Sequence, residues 1–227
     1  MNNIEELFDL IHIKPKKLDY YNLALTHPSY NADANTKHHD YERLEFMGDA
    51  VLGYVCADLI FKIYPDMDQG LMSKLRSYLV KSKSLAIYAR RINLANFIKT
   101  GHSISPDKIN ESDKILEDVF EALIAAIYLD QGMSRVYSYI KSFLYNDILH
   151  ANLDILTDYK TKLQEEVQAE YRNSVVYKTI DEQGPPHNKT FTVSVSFDGV
   201  VIAYGKGKSK KEAEEAAAKA ALEKGSM

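Results

Sequence analysis

Two segments of the chain carry carboxylates in settings that are otherwise apolar. One is Tyr41-Glu42-Arg43-Leu44-Glu45-Phe46-Met47-Gly48-Asp49-Ala50-Val51-Leu52, and the other is Glu117-Asp118-Val119-Phe120-Glu121-Ala122-Leu123-Ile124-Ala125-Ala126-Ile127-Tyr128-Leu129. At 100° per residue Glu42, Glu45 and Asp49 fall within an arc of roughly 60° on one helix, and Asp118 and Glu121, three apart, share a face of another. Asp and Glu are rarely fully buried unless they are paired or bind a metal. If the two faces meet, several like charges converge, and they cannot all stay ionised without a counter-cation. Oxygen-only donors that leave room for water suit a hard cation such as Mg²⁺, with Mn²⁺ as a substitute. One such ion acidifies a bound water into a nucleophile, and a second, about 3.5–4 Å away, can stabilise the leaving oxygen when a phosphodiester is hydrolysed.

Other readings of these acids stand beside that one. Spaced carboxylates on a helix are ordinarily a solvated face or half of some surface ion pairs. Apolar flanks on both segments, with the same misfit in each, weigh against it. A di-iron carboxylate bundle requires Glu-x-x-His on two helices, and no such spacing occurs. His39-Asp40 is a bare His-Asp pair of the kind seen in other metal phosphohydrolases, without further ligands evident.

The elements that must hold these acids are helices. Up to about Asn152 apolar residues recur at three and four, with helical stretches expected over Asn22–Leu25, Leu44–Tyr64, Leu71–Leu94 and Ile115–Leu129. Residues 153–157 fall in a short stretch expected to be a linker. Beyond it the pattern changes to an amphipathic helix over Asp158–Arg172, strands over Val175–Ile180, Thr190–Phe197 and Val200–Tyr204, and a last helix opening at Ser209. Phe191, Val193, Val195 and Phe197 alternate onto one face, and Asp198-Gly199 predicts a tight type I′ hairpin turn. Ser209-Lys210-Lys211-Glu212 has the spacing of a capping box. The expected fold is therefore multidomain α and α+β: an all-α domain over 1–152, a linker over 153–157, and a helix, three antiparallel strands and a helix over 158–227.

Lys206, Lys208, Lys210 and Lys211 fall within six residues at the start of that last helix. Lysines there oppose the positive end of the helix dipole, and an anion would reverse the sign. Free N–H groups, dipole and ammonium groups together suit a phosphate. A solvated lysine cluster is the plainer alternative. Thr161, Gln164 and Gln168 lie along one face of the preceding helix and could reach sugar hydroxyls or base edges. The loop Gln183-Gly184-Pro185-Pro186-His187-Asn188 is a third candidate contact.

Bulk charge neither demands nor excludes such a partner. The net charge is -4; the tail from Asp158 has eleven basic and eleven acidic side chains and the front carries 17 and 21, so phosphate binding must come from local clusters. Cys56 is the single cysteine and can form no internal disulfide, which fits a reducing compartment. The N-terminus carries acids where a secretory signal carries bases, and no apolar run approaches the ~18 residues of a membrane span. A cytoplasmic protein with no membrane association is expected.

The chain resembles bacterial ribonuclease III over nearly its whole length. Glu42 to Leu52 resembles the family's signature segment, Thr26-His27-Pro28-Ser29-Tyr30 its N-terminal box and Leu116 to Asp130 its second acidic helix. The tail is similar to a double-stranded RNA-binding domain, including Gly205-Lys206-Gly207 leading into Ser209-Lys210-Lys211. The resemblance implies a Mg²⁺-dependent endonuclease without organic cofactor that cuts double-stranded RNA to 5′-phosphate and 3′-hydroxyl ends, used in processing ribosomal precursors and structured messengers. Glu45, Asp49, Asp118 and Glu121 match the family's metal-binding acids, with Asp49 and Glu121 the essential catalytic pair and Glu42 an acid at the edge of the site. Phe46 matches the aromatic that plugs into a partner subunit, which implies a homodimer cutting both strands with a short 3′ overhang. Thr161, Gln164, Gln168, His187, Ser209, Lys210 and Lys211 match RNA-facing positions. Gln69 stands where the family commonly has Glu, and Glu214 where many duplex-binding modules have Lys. A non-catalytic protein that only binds duplex RNA is the alternative, set against the presence of all four acids.

Overall fold

The computed structural model describes residues 3–34, 40–102, 104–185 and 187–225. The chain divides into two compact units, Met1–Leu156 and Thr157–Met227.

The first unit is helical: α1 (Ile4–Ile11), α2 (Leu18–Ala24), α3 (Pro28–Ala34), α4 (Glu42–Ile63), α5 (Gln69–Leu79), α6 (Ser82–Arg91), a 3₁₀ turn (Leu94–Phe97), α7 (Pro106–Glu111), α8 (Asp113–Gln131), α9 (Met133–Leu149) and α10 (Leu153–Leu156). Its centre is α8, around which α2, α4, α6 and α9 pack. Leu116, Val119, Phe120, Leu123, Ile124 and Ile127 are almost wholly removed from water, each contributing about 1.5–3 kcal/mol. Ala122, Ala125 and Ala126 are buried between them, and their small side chains let neighbouring helices come close. Ser112 starts α8 by accepting the Ile115 N–H at 3.3 Å. Gly132, at φ 80°, ends it.

The helical stretch expected over Leu71–Leu94 divides into two helices, α5 and α6. Lys81 is extended (ψ 155°), and Ser84 Oγ donates to the freed Tyr78 carbonyl at 3.0 Å. A side-chain hydroxyl thus competes for a backbone acceptor and makes the corner. The segment 153–157 holds one helical turn, α10, whose Leu153 and Leu156 pack on the core of the helical unit.

The second unit runs α11 (Tyr159–Tyr171), β1 (Val176–Gln183), β2 (Thr190–Phe197), β3 (Val200–Gly207) and α12 (Lys210–Glu223), with the antiparallel sheet in the order β1-β2-β3. Asp198 (φ 49°) and Gly199 (φ 78°) both take positive φ, as a type I′ turn requires. Leu163 and Val167 of α11 meet Val195, Ala203 and the alanines Ala217, Ala218 and Ala221 of α12. The alanine run has a direct cause: a Cβ at Gly205 would lie 2.1 Å from Ala217 N, so α12 sits immediately on β3 and only small side chains fit.

Candidate functional site

The approach to α4 is fixed by the segment Thr26–Ser29. Lys99 N–H donates to the Leu25 carbonyl and His27 N–H to that of Lys99, so this segment is tied to the strand-like stretch after the 3₁₀ turn. Tyr41 N–H donates to the Thr26 carbonyl at 3.1 Å, and the Tyr41 ring packs edge-on against His27. His27 Nδ1 accepts the Ser29 N–H at 3.0 Å, which places the imidazole proton on Nε2, and burial lowers the His27 pKa. These contacts make the Thr26–Tyr30 box a brace that determines where α4 begins.

Helices α4 and α8 then touch backbone to backbone. A Cβ at Gly48 would lie 1.8 Å from the Glu121 carbonyl oxygen, so only glycine permits this crossing. Gly48 lies between Glu45 and Asp49 on α4, and Glu121 lies at the same point of α8. The contact therefore draws acids of two helices to one place. Asp118 and Glu121 are buried, Glu45 and Glu117 half-buried, and Asp49 exposed at the edge. Burial, then the charges of Asp49, Glu117 and Glu45, push the Glu121 carboxyl up to about 8. Glu45 is raised as well, by burial and by Asp118.

Lys114 is a member of this centre that sequence reasoning missed. Its Nζ lies 2.6 Å from Asp118 Oδ1, 3.4 Å from Glu117 Oε2 and 3.7 Å from Glu45 Oε1. The available signal was helical spacing, a lysine three residues before Glu117 and four before Asp118. Asp118 Oδ1 is covered by protein, and the Lys114 ammonium is the group that meets it. Carboxylates brought from two helices to one place offer the oxygen-only donors that a hard cation takes, so the residue types fit a Mg²⁺-type ion. Among the described residues no three His, Cys, Asp or Glu side chains are set at metal-holding spacing. The acids are arranged about an ammonium group.

The raised Glu121 has a measurable consequence in the metal-free protein. The unfolded chain loses this proton near the ordinary 4.5 whereas the folded one keeps it to about 8, so stability falls as pH rises across that window. Urea midpoints in chelator should be lower at pH 8 than at pH 5.5. Glu121→Gln should lessen that difference, and an equal difference in the variant would contradict the shift.

Other expected residues lie elsewhere. Glu42, in the first turn of α4, is exposed and lines a cleft of about 570 Å³ with Tyr20, Asp40, Arg43 and Met47. Gln69 borders a cleft of about 360 Å³ with Tyr54, Phe61 and Met72, between α4 and α5. His39 lies outside the described residues. Phe46 is 78% exposed and begins a stripe along α4 continued by Ala50, Tyr54 (58%) and Phe61 (67%). A contiguous apolar surface of this kind marks an interaction site.

In the second unit Thr161 and Gln168 are exposed on α11, His187 is exposed in the β1–β2 loop, and Ser209, Lys210 and Lys211 open α12 at the surface. Gln164 has a second task. It is half-buried, and its amide donates to the Asn173 carbonyl at 3.3 Å and accepts the Val175 N–H at 3.2 Å, holding the turn after α11. One donor and one acceptor site of the amide are taken by backbone, and one of each is left. Ser209 caps α12 by accepting the Glu212 N–H at 3.1 Å, while Glu212 accepts the Lys208 N–H at 2.7 Å. The lysines are not free of acids, as Lys210 lies 3.3 Å from Glu182. Glu214 pairs with Lys160 at 2.6 Å, and Glu215 accepts the Lys160 N–H at 3.2 Å. An acid at Glu214 therefore fastens α12 to the start of α11.

Comparison with known proteins matches residues 19–148 to the ribonuclease-III-like family and residues 159–224 to the double-stranded RNA binding motif. The chain is 40% identical over 226 residues to the Ribonuclease 3 of Onion yellows phytoplasma, covering 99% of this chain and 92% of that one. It is 39% identical to the Ribonuclease 3 of Streptococcus gordonii, covering 99% and 97%. Among solved structures, the nuclease domain of ribonuclease III from Campylobacter jejuni is similar with a TM-score of 0.56 and 35% identity, covering 63% of this chain and 96% of that one. A second structure of that domain, described for flexibility in its region involved in dimer formation, gives a TM-score of 0.57 at 35% identity, covering 62% and 97%.

Proposed function

The chain belongs to the ribonuclease III family, and on that premise we propose that Glu45, Asp49, Asp118 and Glu121 hold the divalent cation at which duplex RNA is cut. It is an endoribonuclease of that family acting on double-stranded RNA, with a helical nuclease domain followed by a duplex-binding domain. Catalysis is assigned to the helical unit, which takes in α10 of the expected 153–157 linker, and RNA binding to the unit from Thr157 on. The observation that carries the site assignment is Glu121: buried at the α4–α8 crossing, with its pKa raised by burial and by Asp49, Glu117 and Glu45.

Glu45, Asp49, Asp118 and Glu121 would hold the ion, Mg²⁺ with Mn²⁺ as substitute, and its charge would assist hydrolysis of the phosphodiester to 5′-phosphate and 3′-hydroxyl ends. The chain's own part is to hold the four carboxylates against their mutual repulsion by packing α4 on α8. Glu42, one turn from Glu45, lies where it can orient solvent or RNA at the rim. Lys210 and Lys211 would take phosphates at the start of α12, with Ser209, Thr161, Gln168 and His187 completing the surface. Such a module reads A-form shape and 2′-hydroxyls over about 16 base pairs. Ribosomal precursors and structured messengers are the proposed targets. A cytoplasmic setting is supported by the one cysteine, Cys56, buried with its thiol pushed up to about 12 and hence inert. Among the described residues no helix is long and apolar enough to cross a membrane.

The Phe46–Phe61 stripe supports a homodimer, two centres then cutting opposite strands to leave a short 3′ overhang. Phe46→Glu would place a charge in that interface. Sedimentation should fall from twice 25.8 kDa to 25.8 kDa, and double-strand cleavage should fall about 10²-fold or more with it. A variant that stays dimeric would place the interface elsewhere.

The function itself is tested by incubating the full chain with a perfect RNA duplex in Mg²⁺, in Ca²⁺ and in chelator. Binding in all three with products only in Mg²⁺ is expected. Binding throughout with no products in Mg²⁺ would make the chain a duplex-binding protein without cleavage.

A further inference from the structure

We propose that Lys114 is a built-in counter-ion of the acidic centre, which the divalent cation must push aside, so that this one side chain sets how tightly the ion is held. The inference rests on the assignment of the four acids above. Its ground is the reach of one ammonium group to three carboxylates on two helices, at 2.6, 3.4 and 3.7 Å from Asp118, Glu117 and Glu45. Two of those three, Glu45 and Asp118, are proposed ligands of the ion. Glu45 Oε1 and Asp118 Oδ1 are the oxygens that face Lys114, and a divalent cation brought to them meets a like charge that opposes its binding.

The form of the side chain suits displacement. Lysine is a compact point charge on a flexible four-carbon stem, and Lys114 is 67% exposed, so its ammonium can turn into water without disturbing the core. While no ion is bound, the lysine relieves the repulsion among Glu45, Glu117 and Asp118. Exchange of one cation for another would then leave the carboxylates neutralised throughout. Arginine in its place would grip the carboxylates with a rigid fork and yield less readily.

The experiment measures ion binding without RNA, on the full chain. Mn²⁺ is titrated by the electron paramagnetic resonance signal of the free ion against wild type, Lys114→Met, which keeps the stem and removes the charge, and Lys114→Arg. Lys114→Met should bind Mn²⁺ about ten-fold more tightly, and Lys114→Arg more weakly than wild type. In parallel, reductive methylation of Lys114 in the wild type, followed by peptide mass, should quicken when Mg²⁺ is added, because the displaced ammonium is freed from its carboxylates. Equal Mn²⁺ affinity in wild type and Lys114→Met, or methylation that Mg²⁺ leaves unchanged, overturns this inference while the four-acid assignment stands. Loss of Mn²⁺ binding in Glu121→Gln marks the acidic centre as the place of binding. Unaltered Mn²⁺ affinity in Glu121→Gln overturns that assignment, and the role of Lys114 with it.

Discussion

Glu121→Gln is expected to leave the affinity for duplex RNA within about two-fold of wild type and to slow cleavage by about 10³-fold or more. The two effects separate because the residues sit in different units. Glu121 belongs to the buried centre of the helical unit, whereas the candidate phosphate contacts Lys210 and Lys211 belong to the other. Glutamine has nearly the same shape as glutamate, so the helix crossing survives and only the charge goes. Gel shifts in Ca²⁺ would report binding, and single-turnover cleavage in Mg²⁺ would report chemistry. Cleavage at the wild-type rate would remove Glu121 from the site, and loss of binding with loss of cleavage would point to a general structural fault.

The second large effect needs no change of charge. Gly48→Ala would set a methyl group 1.8 Å from the Glu121 carbonyl oxygen, and helix backbone, unlike a flexible side chain, cannot step aside. Helices α4 and α8 would have to separate or slide, at a cost of about 3 kcal/mol or more. The melting temperature should fall by about 6–12 °C. Cleavage should fall steeply even well below the new midpoint, because separation of the helices parts Glu45 and Asp49 from Asp118 and Glu121. Alanine is otherwise the best residue for a helix interior, so propensity alone predicts the opposite sign. A variant at least as stable as wild type, with normal cleavage, would contradict the close crossing.

The helical front, the three-stranded tail, the Asp198-Gly199 turn and the four acids are all legible in the amino-acid order. Each rests on a local cause: a period of apolar residues, a pair able to take positive φ, or carboxylates flanked by Leu, Val and Ile. Such causes act over a few residues, which is why the order of residues suffices. The break between α5 and α6 was harder to read, because it depends on Ser84 reaching a carbonyl six residues back. The second task of Gln164 was hidden for a similar reason. Its spacing with Thr161 and Gln168 places it on a polar face, but the turn beyond α11 folds back and takes one donor and one acceptor site of its amide.

What tertiary structure alone decided is how the acids are shared out between helix faces and what meets them. Glycine at position 48 reads in the sequence as a weak helix former, and only the packing of α8 against it turns it into the point where two sets of carboxylates meet. The amino-acid order by itself determined that negative charge would sit in apolar surroundings, since that follows from neighbours along the chain. It could not determine that Glu121 would be buried and its proton held to about 8 while Asp49 stayed at the surface, or that Lys114 would stand among the acids. Burial and charge act through space, and the distances that set them exist only after residues some seventy positions apart have been packed together.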